Sequence, residues 1–304
     1  MKKAFLLAAL IVVASACYRT EKNTINVVPY PNKVEIAKGS FNAAGAGFSI
    51  SDDIDAASRN VIMNFAERLS AATSKTSTIE VNSLDKGFTF TLDSHIPAEA
   101  YRVAVDRNAV NVTASGLNGF NYAIQTLKQM LPAEIFGSTA APHADWSLQC
   151  CTIEDAPRFS YRGMHMDVSR HFFNIDEVKR YLDVMEIHKL NTLHWHLTDD
   201  QGWRVEIKKY PKLTEVGSIR NKTVIGHISR SKEYDHTRYG EGYWYSQEQI
   251  KDIIAYAAAK GITVIPEIDL PGHMLAALAA YPEYGCTGGP YEVWGDWGIS
   301  DDVL

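Results

Sequence analysis

Cysteine is scarce in this sequence. There are four in 304 residues: Cys17 closes an apolar leader, Cys150 and Cys151 are adjacent, and Cys286 stands alone. That spacing makes neither a disulfide framework nor a recognisable metal site, so buried or partly paired thiols are expected. Lysine and arginine never cluster, and the formal net charge is −6. Phosphate backbones are bound by grouped cations, so nucleic acid is excluded as a partner. No glycine-rich phosphate loop follows the first strand of the second half, which argues against a doubly wound nucleotide-binding sheet. Apolar and aromatic side chains are plentiful, at 46% hydrophobic with 15 Tyr and 6 Trp. This suits a globular, ligand-handling protein with a large core.

The first residues, MKKAFLLAALIVVASAC, join a short positive start, an apolar run and small residues before Cys17. The run is too short to span a membrane and reads as a secretory signal over residues 1–17. Small residues directly before a cysteine resemble a bacterial lipoprotein signal, with Ala14 where Leu would match better. The resemblance implies acylation of Cys17 after cleavage. The expected location is the periplasm, or the outer membrane or cell surface, with membrane contact only through the lipid.

Residues 23–154 read as a small α+β domain. GFTFTLD (87–93), YRVAV (101–105) and NAVNVTA (108–114) alternate like half-buried strands. Helices are expected over 57–72 and 118–131, the second with Phe120, Ile124, Leu127 and Leu131 at helical spacing. Residues 155–304 change to strand, helix, strand, helix. Strands are expected over 161–169, 192–199 and 262–270. Asn174 with Glu177, and Ser246 with Gln249, look like capping boxes opening the two intervening helices. Such alternation implies right-handed βαβ units and a parallel sheet. Polar residues gather at the C-terminal strand ends, where (β/α)₈ barrels build their sites, so a barrel is the expected architecture.

Several residues there could carry chemistry. Alternation puts His194 and His196 on one face, where two imidazoles could share a divalent ion. Spacing offers no third ligand, so no metal is assigned. Asp199 and Asp200 should point to opposite sides of an extended backbone, one into the site and one into the following turn. Arg170 either pairs with a helix or presents its fork to vicinal hydroxyls. Glu267 and Asp269 share a face, and His273 at a Pro-Gly turn could handle a proton beside them. Asp176-Glu177 sits in a first helical turn and serves the cap and dipole.

YRGMHMDVSRHFF, KLNTLHWHLTDDQGWRVEIKKYPKLTEVGS and GITVIPEIDLPGH together resemble three successive barrel blocks of glycoside hydrolase family 20, the β-N-acetylhexosaminidases. VVPYPNKVEIAKGSF and GFNYAIQTLKQML resemble the small α+β domain before that barrel. The resemblance implies that Arg170 binds terminal-sugar hydroxyls, that Asp199 and His273 form a relay tuning the catalytic acid, that Asp269 supports that network, and that His196 lines the site. It implies a glycan substrate ending in N-acetylglucosamine or N-acetylgalactosamine, hydrolysed with retention by the substrate's own 2-acetamido group through an oxazolinium intermediate. It implies no metal or organic cofactor.

The family's Asp-Glu acid/base pair, expected at the end of a fourth strand, is not in the sequence, so about three βα units of the barrel are expected here. The chain reads as the front of a longer protein, inactive and poorly stable alone. Two other readings are a non-catalytic glycan-binding envelope protein and a metal-dependent barrel hydrolase using the H-x-H pair. For the leader, metabolic labelling with palmitate should mark the wild-type protein and leave Cys17→Ser unlabelled. Equal labelling of both would remove the lipoprotein expectation.

Overall fold

The computed structural model describes residues 24–304 apart from 83–85, 228–229 and 231–232. Cys17 and the rest of the leader lie outside the described residues. The first half is a seven-stranded sheet. Its strands are β1 (Lys33–Asn42), β2 (Phe48–Ile50), β3 (Ile79–Val81), β4 (Gly87–Leu92), β5 (Tyr101–Val105), β6 (Ala109–Ala114) and β7 (Ser147–Asp155), in the order β1-β7-β5-β6-β4-β2-β3. β5 alternates buried and exposed along its whole length, as a sheet with one covered face must. Helices α1 (Ala56–Thr73) and α2 (Leu117–Met130) contribute Phe65 and Phe120 to a core with Phe48, Phe88 and Phe90, ring centroids 4.7–6.2 Å apart. β1 and β7 were not legible in the sequence. β1 is an edge strand, mostly exposed, with a register break between Ile36 and Ser40. Cys150 and Cys151 are buried and unpaired, and Cys286 is exposed.

The second half supplies β8 (Gly163–Asp167), α3 (Ile175–Ile187), β9 (Thr192–Asp199), then β10 (Gly202–Trp203), α4 (Lys212–Glu215), β11 (Thr223–Val224), β12 (Tyr234–Asp235), α5 (Gln247–Ala258), β13 (Thr263–Ile268) and α6 (Leu275–Ala280). Both expected capping boxes are formed. β8 and β13 flank β9 in parallel, as three strands of a barrel do. Their register aligns Asp167, His196 and Glu267 in one row, and His165, His194 and Ile265 in the row below. Among the described residues no helix is long and apolar enough to cross a membrane.

The segment from Asp200 to Tyr245 gave no clear periodicity, and the structure shows why. It is an excursion tied to the strand ends by one fully buried guanidinium. Arg204 donates to the carbonyls of Val168 (3.2 Å), Ser169 (2.9 Å), Ser218 (2.6 Å) and Tyr243 (3.1 Å). Arg220 lies 4.0 Å over the Tyr239 ring and donates to the carbonyls of Gln201 and Arg170.

Helix α2 is buried on nearly every side because it lies between the first sheet, helix α1 and helix α3 of the second half. Gly119 lets it come that close: a Cβ there would stand 2.5 Å from the Ala100 carbonyl oxygen. Across this junction, Arg162 pairs with Glu99 at 2.7 Å, and Asn121 donates to the Lys260 carbonyl. Lys189 is the most constrained residue of the junction. It occupies the left-handed position after α3 (φ 59°), with Leu190 N–H bonded to Met185 O and Lys189 N–H to Glu186 O. Glycine is the usual occupant of that place. Here the Lys189 side chain is almost wholly buried, its Nζ 3.0 Å from Asp155 Oδ2 and 2.8 Å from the Tyr101 hydroxyl.

Lys189→Met should destabilise the chain by about 3–5 kcal/mol, because it leaves Asp155 buried without its cation. Lys189→Gly should cost roughly 1 kcal/mol less, since it relieves the left-handed backbone while losing the same pair. Urea denaturation checks the order. Glycine more stable than lysine by about 1 kcal/mol, the whole backbone relief, would show that the pair contributes nothing.

Candidate active site

The site is built from the C-terminal ends of β8, β9 and β13. Asp167, the last residue of β8, turns the chain: its Oδ1 accepts the backbone N–H groups of Ser169 (3.0 Å) and Arg170 (3.1 Å). Ser169 Oγ then donates to the Gly202 carbonyl at 2.6 Å, fixing the next loop. This turn swings Arg170 back over the strand ends. Its Nε donates to Gln201 Oε1 (2.9 Å), its Nη1 to Asp167 Oδ2 (2.9 Å), and its Nη2 lies 2.6 Å from Asp199 Oδ2.

Asp199 closes β9 with its side chain fully buried. Oδ2 also meets His196 Nε2 at 2.9 Å, and Oδ1 meets His273 Nδ1 at 3.0 Å. His196 is held from the other side, where Nδ1 is 2.7 Å from Glu267 Oε2. Burial opposes charge on this imidazole, but hydrogen bonds to Asp199 and Glu267 and the nearby Asp167 charge outweigh it and carry its pKa up to about 9. His196 is therefore a cation at neutral pH. Its Nε2 cannot accept from Arg170 Nη1, 3.2 Å away. Nε and Nη1 are thus engaged by Gln201, Asp167 and the approach to His196, and Nη2, ion-paired with Asp199, is the nitrogen left to meet a ligand.

Glu267 is buried in part, which opposes its ionisation, yet the His196 bond and charge hold its carboxyl below the usual range. Asp269 shifts the opposite way: burial, then its hydrogen bond to the ionised Glu267, raises it. Asp269 therefore joins the network through Glu267, and its backbone N–H donates to Thr198 Oγ1.

One expectation fails. Asp199 and Asp200 do not point to opposite sides. β9 ends at Asp199, so strand alternation no longer applies to Asp200. Asp200 Oδ2 lies 3.2 Å from the same His273 Nδ1, and Oδ1 accepts Leu275 N–H. Burial and the Asp199 charge raise the Asp200 carboxyl, against the pull of Leu275 and His273. Two carboxylates on Nδ1 set the His273 tautomer and leave Nε2 as its acceptor. His273 holds a left-handed backbone (φ 57°) to be there.

All five expected residues, Arg170, His196, Asp199, Asp269 and His273, are gathered in one connected cluster. Sequence reasoning missed Asp167, Gln201 and Arg204, and assigned Glu267 no role beyond a shared face. Asp167 was findable: it alternates with Gly163 and His165 on a strand parallel to β9, so it belongs on the row with His196. Gln201 and Arg204 lie in the excursion, where no periodicity says which way a side chain points.

Two family models match the chain. The catalytic domain of glycosyl hydrolase family 20 matches residues 159–304, and domain 2 of the same family matches 24–156. A β-hexosaminidase of Porphyromonas gingivalis is 37% identical over 289 residues, covering 92% of this chain and 34% of that protein. One from Vibrio furnissii is 36% identical over 87% of this chain and 41% of its own length. The solved family 20 β-N-acetylhexosaminidase of Streptomyces coelicolor A3(2) superposes with a TM-score of 0.79 at 34% identity, over 91% of this chain and 53% of that one. A Streptomyces plicatus β-hexosaminidase variant solved with its product GlcNAc gives 0.78 at 34% identity, over 91% and 52%. The chain thus spans 34% and 41% of these two curated relatives and about half of these solved structures.

The raised His196 pKa has a stability consequence with a definite sign. Its stabilising contribution is complete below the unfolded value of about 6.5 and is lost as pH rises through about 9. Urea midpoints of wild type and His196→Gln, compared from pH 6 to pH 10, should converge across that window. A gap independent of pH would show that His196 is not held as a cation.

Proposed function

The chain belongs to glycoside hydrolase family 20, and we propose that the protein is a retaining exo-β-N-acetylhexosaminidase to which these residues contribute one side of the sugar pocket. The observation that carries this reading is the Arg170 guanidinium: a cation locked on three sides by protein at the strand ends, with Nη2 left to meet a ligand. A rigid, charged donor held in place suits a hydroxyl of a terminal sugar ring. The acidic cluster around it suits a reaction that builds positive charge at the anomeric centre.

The 2-acetamido carbonyl oxygen of the substrate attacks the anomeric carbon as the glycosidic bond breaks, giving the oxazolinium ion. A glutamic acid protonates the departing oxygen and then draws a proton from the water that opens the ring. The stereochemistry is therefore retained. His273, fixed through Nδ1 by Asp199 and Asp200, offers Nε2 to that acid and adjusts its proton affinity. That acid and its Asp partner belong to the next barrel strand by the family resemblance, and turnover depends on them. The substrate is a glycan ending in β-linked N-acetylglucosamine or N-acetylgalactosamine. Export and a lipid on Cys17 complete the proposal and rest on the leader sequence.

A form of the protein carrying the acid/base strand should hydrolyse 4-nitrophenyl N-acetyl-β-D-glucosaminide and leave 4-nitrophenyl β-D-glucoside intact, because the glucoside lacks the internal nucleophile. The first product by NMR should be the β-anomer. Arg170→Ala should lower kcat/KM by roughly 10–100-fold, the loss of a charge-assisted hydrogen bond of about 1.5–3 kcal/mol. Equal turnover of the glucoside, or an α-anomer first, would overturn the mechanism. Sugar binding without turnover would favour a glycan-binding protein instead.

A further inference from the structure

The H-x-H pair does not act as a unit. His196 is consumed between Asp199 and Glu267, whereas His194 lies one row lower and meets a different histidine. Its Nε2 is 2.6 Å from Glu267 Oε2, and His165 Nε2 is 3.6 Å from the same oxygen. The two imidazole rings stand edge to face with centroids 4.8 Å apart. The three ligand atoms all lie within 4.8 Å of one another. Among the described residues, Glu267 is the side chain that both of these Nε2 atoms approach within 4 Å. Glu267 Oε2 itself is buried and, despite these close approaches, makes no well-aligned hydrogen bond, so an acceptor is left aimed at the two imidazoles.

We propose that His165 Nε2, His194 Nε2 and Glu267 Oε2 form a three-ligand site for a borderline divalent cation of the zinc type, with its fourth position open. Two imidazoles and one carboxylate select zinc-like ions over magnesium or calcium, which take oxygen donors. In a tetrahedral zinc site neighbouring ligand atoms are about 3.3 Å apart, as bond lengths near 2.0–2.1 Å require. The Glu267 contact to His194 must lengthen and that to His165 must shorten, each by less than ~1 Å, which side-chain rotation supplies. Binding displaces no covalent bond and moves no electron. Asp269, hydrogen-bonded to Glu267, orients the carboxylate from outside. A second acidic cluster, Asp199, Asp200 and His273, is within range of an ion but is already committed: Asp199 to Arg170 and His196, Asp200 to Leu275 N–H. The site has no part in the hydrolysis proposed above. Its effect on that cluster would run through Glu267, which a bound ion draws away from His196.

The test is titration of the untagged protein with Zn²⁺ alone, in competition with a chromophoric chelator, and with Co²⁺ read by its visible tetrahedral band. One equivalent should bind at pH 7.5. His165→Ala and the gentler His165→Gln should each weaken binding at least tenfold with the circular dichroism spectrum unchanged, and His273→Ala should retain it. No binding by wild type, wild-type affinity in both His165 variants, or loss in His273→Ala would each overturn the proposal.

Discussion

The second half of this protein is organised around one buried carboxylate. Asp199 has no solvent to stabilise its charge, and burying an uncompensated charge is prohibitive. Its stability comes from Arg170 just beyond β8, His196 in β9 and His273 in the turn after β13. Each partner must then be held by others: Arg170 by Asp167 and Gln201, His196 by Glu267, His273 by Asp200. A single desolvated charge thus specifies a shell of positions far more sharply than apolar packing would. Parallel register makes the convergence possible, because Asp167, His196 and Glu267 arrive at one level only if no strand slips.

The junction between the two halves follows a related logic with the opposite sign. Lys189 accepts a backbone conformation better suited to glycine so that its amine can reach Asp155 and Tyr101. The helix end could be capped more cheaply. What it gains is a bond between the last strand of the first sheet and the helix that follows the first barrel strand, two elements that short-range rules leave independent. The backbone strain is of order 1–2 kcal/mol, and a buried pair lost costs more than that.

Much of this was legible in the sequence because it is periodic or punctuated. Both capping boxes, the strands around 87–114 and the three barrel strands carry their patterns locally. The strands that were not legible lack such a pattern: β1 is an exposed, broken edge, the adjacent buried Cys150 and Cys151 break the alternation of β7, and β2, β3, β10, β11 and β12 are only two or three residues long. Arg170, His196, Asp199, Asp269 and His273 were named from the family resemblance, and strand-end position agreed with it. Parity failed at Asp200 because it holds only while the strand lasts. The part played by Glu267 was hidden for another reason. Its importance comes from three imidazoles on two other strands, a fact of register rather than of its own neighbours in sequence.

Arg204 has a consequence that its hydrogen bonds do not convey. It is fully buried, and carbonyl oxygens take its hydrogens, so among the described residues no carboxylate in contact cancels its charge. Burial lowers its pKa only to about 10, so it stays charged at neutral pH. Behind the acidic cluster it acts as a fixed positive background, and it interacts across space with Asp167. The potential felt by a ligand at the strand ends is therefore less negative than the five carboxylates of the wall suggest. Part of the field in the pocket is set by a side chain no ligand can touch.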